Sequence, residues 1–176
     1  MILGKKIKTS RHGLFQFSKK IDDGLFLLTH LAQIKKKEPL SLKKIAEENK
    51  RSFFFLQKIA NDLRQASLLK STRGKNGGYL LAKSPQKITL KNICEALEGR
   101  MAIMSCLEKG NSKKICRHEC HCHMKKGMNV LNMIMIKTLS STTLDQITVP
   151  SKIKNVPLSK PTLTAHKNGR IEISNF

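Results

Sequence analysis

Apolar residues recur every three or four positions along much of the chain, a spacing that predicts amphipathic helices. The first such pattern follows a basic stretch at residues 1–16, which shows little periodicity. Asp22 stands where an N-cap belongs, and Pro39 ends the pattern because proline disfavours helix at the preceding residue. The predicted inward positions of this helix are Leu25, Leu28, Leu31 and Ala32.

Two shorter helical patterns follow, separated by a break of a few residues. Ser41 is placed to cap the first, LKKIAEENK, and Ser52 to cap the longer second, FFFLQKIANDLRQA. The predicted buried stripe of the second comprises Leu56, Ile59, Leu63 and Ala66. Two helices joined by a tight turn are typical of a helix-turn-helix, in which the second helix enters the major groove of DNA. At this point a small helical bundle without DNA binding remains an alternative.

A β-hairpin is predicted directly after these helices. Asn76-Gly77 favours a tight turn between two β-leaning runs, and Pro85 ends the second run. A hairpin in this position is a wing, and its tip carries Arg73 and Lys75, which suit a minor groove or a phosphate ridge. The alternative is an ordinary charged hairpin.

Two more helices are predicted before the C-terminal segment. Thr89 caps the first and Gly99 ends it, with Cys94 on the apolar face as a small buried residue. The second begins at Lys125, and its methionine-rich stripe favours packing in a core or a dimer over cofactor binding. That stripe comprises Met128, Leu131, Met135 and Leu139, with Ile134 beside it. Residues 148–176 hold three prolines among Ser, Thr and Lys and are expected to be disordered.

The charge of the chain indicates its class of partner. Lys and Arg number 34 against 12 Asp and Glu, so the net charge of +22 favours polyanions, above all nucleic acid. An anionic membrane surface and simple solvation are the alternatives. With one Tyr and no Trp, a single-strand binder built on stacked bases is not expected.

Several functional classes are not expected from this sequence. No apolar run approaches ~20 residues and no secretory signal is evident, so we expect a cytoplasmic protein with no membrane partner. The chain shows no Ser/His/Asp set, paired carboxylates or phosphate-binding loop. We therefore expect neither an enzyme nor a small-molecule substrate.

Four of the five cysteines fall within seventeen residues, in MSCLEKGNSKKICRHECHCHMKK. They are Cys106, Cys116, Cys120 and Cys122, with His118, His121 and His123 among them. Thiolates clustered in a reducing compartment favour zinc or an iron–sulfur cluster. The segment lacks the C-x-x-C pair common in zinc sites, and its irregular gaps are more typical of a cluster. Zinc, a thiol redox switch and incidental cysteines remain alternatives.

The amino-acid sequence of these motifs resembles that of the Rrf2 family of winged-helix bacterial regulators, the group of IscR and NsrR. The resemblance covers roughly residues 14–147 and includes FSKKIDDGLFLLTHLA and LSLKKIAEENKRSFFFLQKIANDL. Its most specific part is RGKNGGYLLAKSP followed by the helix NICEALEG. Within the family, the chain looks most similar to the regulators of the SUF iron–sulfur assembly system.

The resemblance implies a mainly α fold: a winged helix-turn-helix with a two-stranded wing and a long C-terminal dimerisation helix. It implies a homodimer that binds double-stranded DNA at a promoter operator and senses iron–sulfur status or redox stress. The expected cofactor is a 2Fe–2S or 4Fe–4S iron–sulfur cluster, and the expected targets are the iron–sulfur assembly (suf) genes. The implied divisions are an extension (1–16), the DNA-binding domain (17–99), the cluster-binding loop (100–124), the dimerisation region (125–147) and the tail (148–176).

The resemblance also implies a ligand set. Cys106, Cys116 and Cys122 occupy the places of the three family cysteines, although the first gap is wider than usual. The fourth ligand varies in the family. A histidine used by some members is replaced here by Lys125, whereas Asp22 occupies the place of an aspartate used by others. This sequence adds rivals for the fourth ligand: Cys120, His118, His121 and His123.

We expect base contacts from the front of the second helix of the helix-turn-helix. Gln57 suits an adenine edge, and Phe53 or Phe54 suits a thymine methyl, whereas Phe55 is expected in the core. The full predicted set comprises Arg51, Ser52, Phe53, Gln57, Lys58, Arg73 and Lys75. Its basic members are expected at phosphates or in the minor groove.

Overall fold

The computed structural model describes residues 17–34, 38–74, 77–107 and 122–148, and the backbone of two strands at 162–165 and 171–174. The helices are α1 (Lys19–Gln33), α2 (Leu42–Glu48), α3 (Phe53–Gln65), α4 (Leu90–Glu98), α5 (Lys125–Ser141) and α6 (Leu144–Thr148). The strands are β1 (Leu69–Thr72), β2 (Gly78–Leu81), β3 (Thr162–Ala165) and β4 (Ile171–Ser174). Short 3-10 turns lie at Pro85–Lys87 and Ser105–Leu107. The predicted mainly helical fold is confirmed.

The first helix starts earlier than predicted. Ser18, not Asp22, is the N-cap, because the Ser18 hydroxyl accepts a hydrogen bond from the Ile21 N–H at 3.2 Å. Asp22 lies in the first turn of α1, where a carboxylate is stabilised by the helix dipole. Leu28 and Leu31 are buried as predicted; Leu27 is also fully buried, whereas Leu25 and Ala32 are only half-buried.

The two helices of the helix-turn-helix form as predicted. Ser52 caps α3 by accepting a hydrogen bond from the Phe55 N–H at 3.5 Å. Of the four predicted stripe positions of α3, only Ala66 is exposed, since the helix ends at Gln65 and Ala66 is its C-cap. Ala60 is buried instead.

One apolar core holds α1, α3 and α4 together. Its fully buried side chains are Leu27, Leu28, Ile45, Leu56, Ile59, Leu63, Ile88, Ile93, Cys94 and Leu144. Gly24 of α1 lies directly against the Leu97 side chain of α4, so these helices pack closely there. Lys20 of α1 and Asp62 of α3 form an ion pair at 2.8 Å beside the core.

The wing is attached to the rest of the domain by backbone pairing. Strands β1 and β2 are antiparallel, with Leu69 opposite Leu81. Leu40, just before α2, exchanges two backbone hydrogen bonds with Tyr79, each 2.9 Å long. Gly78 approaches the Leu40 backbone so closely that a Cβ there would collide with its carbonyl. The turn residues Lys75 and Asn76 lie outside the described residues.

The long helix α5 begins at Lys125, as predicted. Its C-terminal end is joined to the DNA-binding domain by two backbone hydrogen bonds. Leu90 N–H donates to the Thr142 carbonyl at 2.9 Å, and Leu144 N–H donates to the Ile88 carbonyl at 2.8 Å. The side chain of Leu144 is fully buried in the core. The position of α5 is therefore linked to that of the DNA-binding domain.

Strands β3 and β4 pair antiparallel, with Thr162 opposite Ser174. They lie in the segment that we expected to be disordered, and the sequence analysis did not predict them. The extension at 1–16 and the linker at 149–161 lie outside the described residues. Among the helices that are described, none combines the length and the apolar character needed to cross a membrane.

Candidate DNA interface and cysteine segment

The exposed face of α3 carries three of the residues predicted to contact DNA. Phe54 is 81% exposed, an unusual environment for a large apolar side chain. Gln57 and Lys58 are also exposed, and they share a face with Phe54 because they follow it by three and four residues. Aromatic, amide and ammonium groups thus occupy one surface near the start of the recognition helix.

The two phenylalanines beside Phe54 both face the core, which was predicted for Phe55 but not for Phe53. Phe53 and Phe55 are both partly buried and pack against the core, so the expectation for Phe55 is confirmed. The Phe53 ring meets the Phe54 ring edge-on, with centroids 5.7 Å apart. Phe54, rather than Phe53, is therefore the aromatic residue available to a thymine methyl. Because the three phenylalanines are consecutive, the sequence pattern alone did not show whether Phe53 or Phe54 is the exposed one.

Arg51 contacts α1. Its guanidinium forms ion pairs with Asp23, whose side chain is only 5% exposed, and with Asp22 at 3.3 Å. The same guanidinium lies 3.9 Å from the centre of the Phe26 ring. Arg51 immediately precedes Ser52, the N-cap of α3, and therefore fixes the start of the recognition helix against α1. The ion pair between Arg51 and Asp23 was not predicted from the sequence. The two adjacent aspartates, Asp22 and Asp23, were the only sequence feature that pointed to it.

Other cations surround the start of α3. Lys43 and Lys50 line an open cleft of about 490 Å³ between α2 and α3, together with Arg51 and Phe53. Ammonium groups beside a recognition helix suit the phosphates that flank the major groove. Arg73 is exposed on the wing, and its predicted companion Lys75 lies outside the described residues.

Two of the predicted metal ligands are described. Cys106 is exposed within a 3-10 turn, and Cys122 is half-buried just before α5; both are free thiols. The Cys122 carbonyl accepts a hydrogen bond from the Lys125 N–H at 3.3 Å. His123 is exposed. Cys116, Cys120, His118 and His121 lie outside the described residues.

The described residues do not by themselves complete a metal site, since they bring together no group of three potential ligands. Asp22, the predicted fourth ligand, is 60% exposed in its side chain and is paired with Lys19 and Arg51. Two accessible thiols nevertheless fit the donor chemistry of an iron–sulfur cluster. The predicted ligand set remains a prediction.

Two further polar or thiol groups lie near this segment. The Asn132 side chain on α5 accepts a hydrogen bond from the Ile103 N–H at 3.0 Å, and Asn132 is only 5% exposed. The helical pattern did not predict this contact, because an asparagine in such a pattern is normally placed on the solvent side. Cys94 is fully buried, as predicted. Its burial, with smaller effects from Glu95 and Glu98, raises the pKa of the thiol.

Comparison with known proteins agrees with this architecture. A sequence profile of the Rrf2 family, described as "Iron-dependent Transcriptional regulator", matches residues 17–150. The regulator CymR of Bacillus subtilis is 40% identical over 85 residues, which cover 48% of this chain and 62% of CymR, less than two thirds of that relative. The regulator NsrR of Shouchella clausii is 26% identical over 130 residues, covering 70% of this chain and 87% of NsrR.

Solved structures show the same likeness. The structure of CymR, described as the global cysteine regulator of B. subtilis, superimposes with a TM-score of 0.59 at 30% identity. That match covers 77% of this chain and 97% of CymR. IscR of T. potens gives a TM-score of 0.58 at 29% identity, over 76% of this chain and 85% of IscR. These relatives are transcriptional regulators rather than enzymes, as expected. The chain belongs to the Rrf2 family of winged-helix transcriptional regulators.

Proposed function

We propose that this regulator senses iron–sulfur status through a cluster held by the cysteine segment, residues 100–124. The observation that carries the proposal is the placement of two free thiols at the two ends of that segment. Cys106 follows α4 of the DNA-binding domain, and Cys122 lies three residues before the start of α5. A group bound by both thiols would connect the DNA-binding domain to α5.

The donor set of the proposal comprises Cys106, Cys116 and Cys122, with Asp22, Cys120, His121 or His123 as the fourth ligand. When bound, an iron–sulfur cluster supplies a link that iron shortage or oxidation removes. The ammonium groups of Lys125 and Lys126, which follow Cys122 closely in the sequence, would offset the negative charge of a thiolate-ligated cluster. Sensing would then alter how firmly the segment is ordered against α5.

The coupling to DNA runs through the C-terminal end of α5. That end is bonded to the start of α4 through Thr142 and Leu144, so a displacement of α5 moves the DNA-binding domain with it. In a dimer, two recognition helices need a separation of ~34–36 Å to enter adjacent major grooves. A coupling of ~1–3 kcal/mol between cluster and DNA would change affinity about five- to 150-fold.

The proposed dimer forms through the outer face of α5. Leu131 and Met133 are 42% and 47% exposed, and half-buried Val130 and Ile134 complete the apolar surface. A row of exposed apolar side chains on one helix is typical of a protein interface. A second copy of this chain would cover this face and place the two DNA-binding domains symmetrically.

The proposed target is an operator in the promoter of the iron–sulfur assembly (suf) genes. This assignment rests on the likeness of the motifs to the SUF-system regulators. Phe54, Gln57 and Lys58 would contact the major groove, and Arg73 with Lys75 would contact the minor groove or phosphates.

The decisive experiment is anaerobic purification followed by a visible spectrum and DNA binding before and after chelation. We expect a brown protein with absorption at ~400 nm and stoichiometric iron and sulfide, typical of Fe–S ligation by thiolates. Removing the cluster should change affinity for the promoter fragment at least fivefold, while random DNA is bound as before. Cys106→Ser and Cys122→Ser should abolish the colour, whereas the buried control Cys94→Ala should retain it. Equal promoter binding with and without cluster would contradict the proposal.

A second candidate is a thiol-based regulator without a cluster. It is favoured by the 40% identity to CymR, whose structure is described as that of a global cysteine regulator. The switch would be a disulfide between Cys120 and Cys122 or between Cys116 and Cys120. A colourless protein whose response to oxidant is lost in Cys120→Ser would support this candidate. A colourless protein with stoichiometric zinc would instead indicate a zinc-stabilised regulator.

A further inference from the structure

Asn132 is the one residue of α5 that is buried, and it is polar. A leucine would be the ordinary occupant of such a position, because a buried amide loses its hydrogen bonds to water. The cost is offset here by a specific partner: the Asn132 Oδ1 accepts from the Ile103 N–H at 3.0 Å. The contact joins two residues that are 29 positions apart in the chain.

Ile103 lies where the chain leaves the core and enters the cysteine segment. Met101, two residues earlier, still packs against the core, and Cys106 follows three residues later. Residues 101–104 belong to neither a helix nor a strand, so the Ile103 amide needs a partner outside regular structure. A chain of three residues spans at most about 10 Å, which keeps Cys106 close to the inner side of α5.

We infer that Asn132 is a positioning residue for the cysteine segment. It holds the start of the segment on α5, the helix that begins three residues after Cys122. The two described thiols, Cys106 and Cys122, are therefore both positioned relative to the same helix. The effect of Asn132 on metal binding rests on the proposed function. The hydrogen bond to Ile103 and its effect on residues 101–107 are independent of that function.

Hydrogen exchange of the metal-free, full-length protein tests the contact directly. In Asn132→Leu, the Ile103 amide loses its acceptor, and exchange in residues 101–107 should accelerate about fivefold or more. Asn132→Asp retains an acceptor oxygen in the same place, so a folded variant should protect residues 101–107 better than Asn132→Leu does, although its buried carboxylate costs stability. Asn129→Leu, an exposed position one turn earlier on α5, should also leave residues 101–107 unchanged. Exchange in α5 itself reports whether each variant is folded.

Three results would overturn the inference. The first is unchanged exchange at residues 101–107 in a folded Asn132→Leu variant. The second is an Asn132→Asp variant that is folded, as judged by exchange in α5, and yet loses protection at residues 101–107 as fully as Asn132→Leu does. The third needs no variant and applies even if Asn132→Leu does not fold: a wild-type Ile103 amide that exchanges at its intrinsic, unprotected rate.

Metal retention provides the functional measurement. In the anaerobically purified protein, iron release to a chelator should be several-fold faster from Asn132→Leu than from wild type, and slower from a folded Asn132→Asp than from Asn132→Leu. Equal release from Asn132→Leu and wild type would contradict the positioning role in cluster binding. If no variant binds a cluster at all, the proposed function fails, while hydrogen exchange still decides the role of Asn132.

Discussion

At the scale of single residues, location determines what a charge or a ring does. Arg51 and Lys58 are both cations at the helix-turn-helix, and the sequence analysis placed both at DNA. In the structure, Arg51 is paired with the buried Asp23 and lies against Phe26, whereas Lys58 is exposed. A buried carboxylate needs a partner, so the primary role of Arg51 is to hold α3 against α1.

The first prediction concerns this ion pair. Arg51→Ala should lower the free energy of unfolding by about 2 kcal/mol, because it removes one partner of the buried Asp23. The loss is below the upper range for buried pairs since Lys19 still contacts Asp23 at 3.2 Å. Chemical denaturation measures the change, with Lys58→Ala as an exposed control. If Arg51→Ala were as stable as wild type and only bound DNA less tightly, Arg51 would be a phosphate contact instead.

The second prediction separates reading of bases from attraction to phosphates. Phe54→Ala and Gln57→Ala should each cost about 1–3 kcal/mol on the operator and little on random duplex, because base contacts are specific. Lys58→Ala should weaken binding to both duplexes and reduce the salt dependence. Replacing thymine by uracil in the operator removes the methyl group and should reproduce the loss seen in Phe54→Ala. If replacing thymine by uracil lowered the affinity of Phe54→Ala as much as that of the wild type, Phe54 would not contact the methyl group.

At the scale of elements, the wing shows how local turn chemistry and a distant contact act together. The Asn76-Gly77 signal predicted the hairpin, and β1 pairs with β2 around that turn. The attachment of β2 to the backbone of Leu40 was not predicted, because it joins residues almost forty positions apart. Gly78 is required at this contact for lack of space rather than for turn geometry.

The third prediction tests that attachment. Gly78→Ala should destabilise the protein by about 1–3 kcal/mol, because the added methyl group must displace the Leu40 backbone. The matched control is Gly127→Ala in α5, where nothing lies within 4 Å of the new Cβ. The control should be neutral or stabilising by about 0.5–1 kcal/mol, since alanine favours helix over glycine. Thermal unfolding measures the stability of both variants. If the two were equally stable, a methyl group at position 78 would fit beside the Leu40 backbone, which would contradict the prediction.

At the scale of the whole molecule, net charge and an uncovered apolar face point to two different partners. The charge of +22 provides attraction to DNA of any sequence, and specificity must come from the recognition helix. The outer face of α5 carries apolar residues that a monomer leaves in water. Association of two copies would bury this face and double the DNA contacts.

The fourth prediction concerns this association. Leu131→Lys should convert a dimer into a monomer, because it places a charge in the proposed apolar interface. Sedimentation measures the change, and Gln33→Lys, an exposed position at the end of α1, is the control. Operator affinity should fall together with dimer formation. A wild-type protein that sediments as a monomer at all concentrations would remove the dimer from the proposal.

Local sequence pattern was enough to predict the order and type of the elements in the DNA-binding domain, since helical periodicity, capping residues and turn pairs act over a few positions. It also determined the basic charge and the cluster of cysteines. Three features became visible only in the folded chain: the exposure of Phe54, the pairing of Arg51 with Asp23, and the hydrogen bond between Asn132 and the start of the cysteine segment. These contacts join residues about 28 to 29 positions apart, and local pattern carries no record of which distant groups the packing of helices brings together.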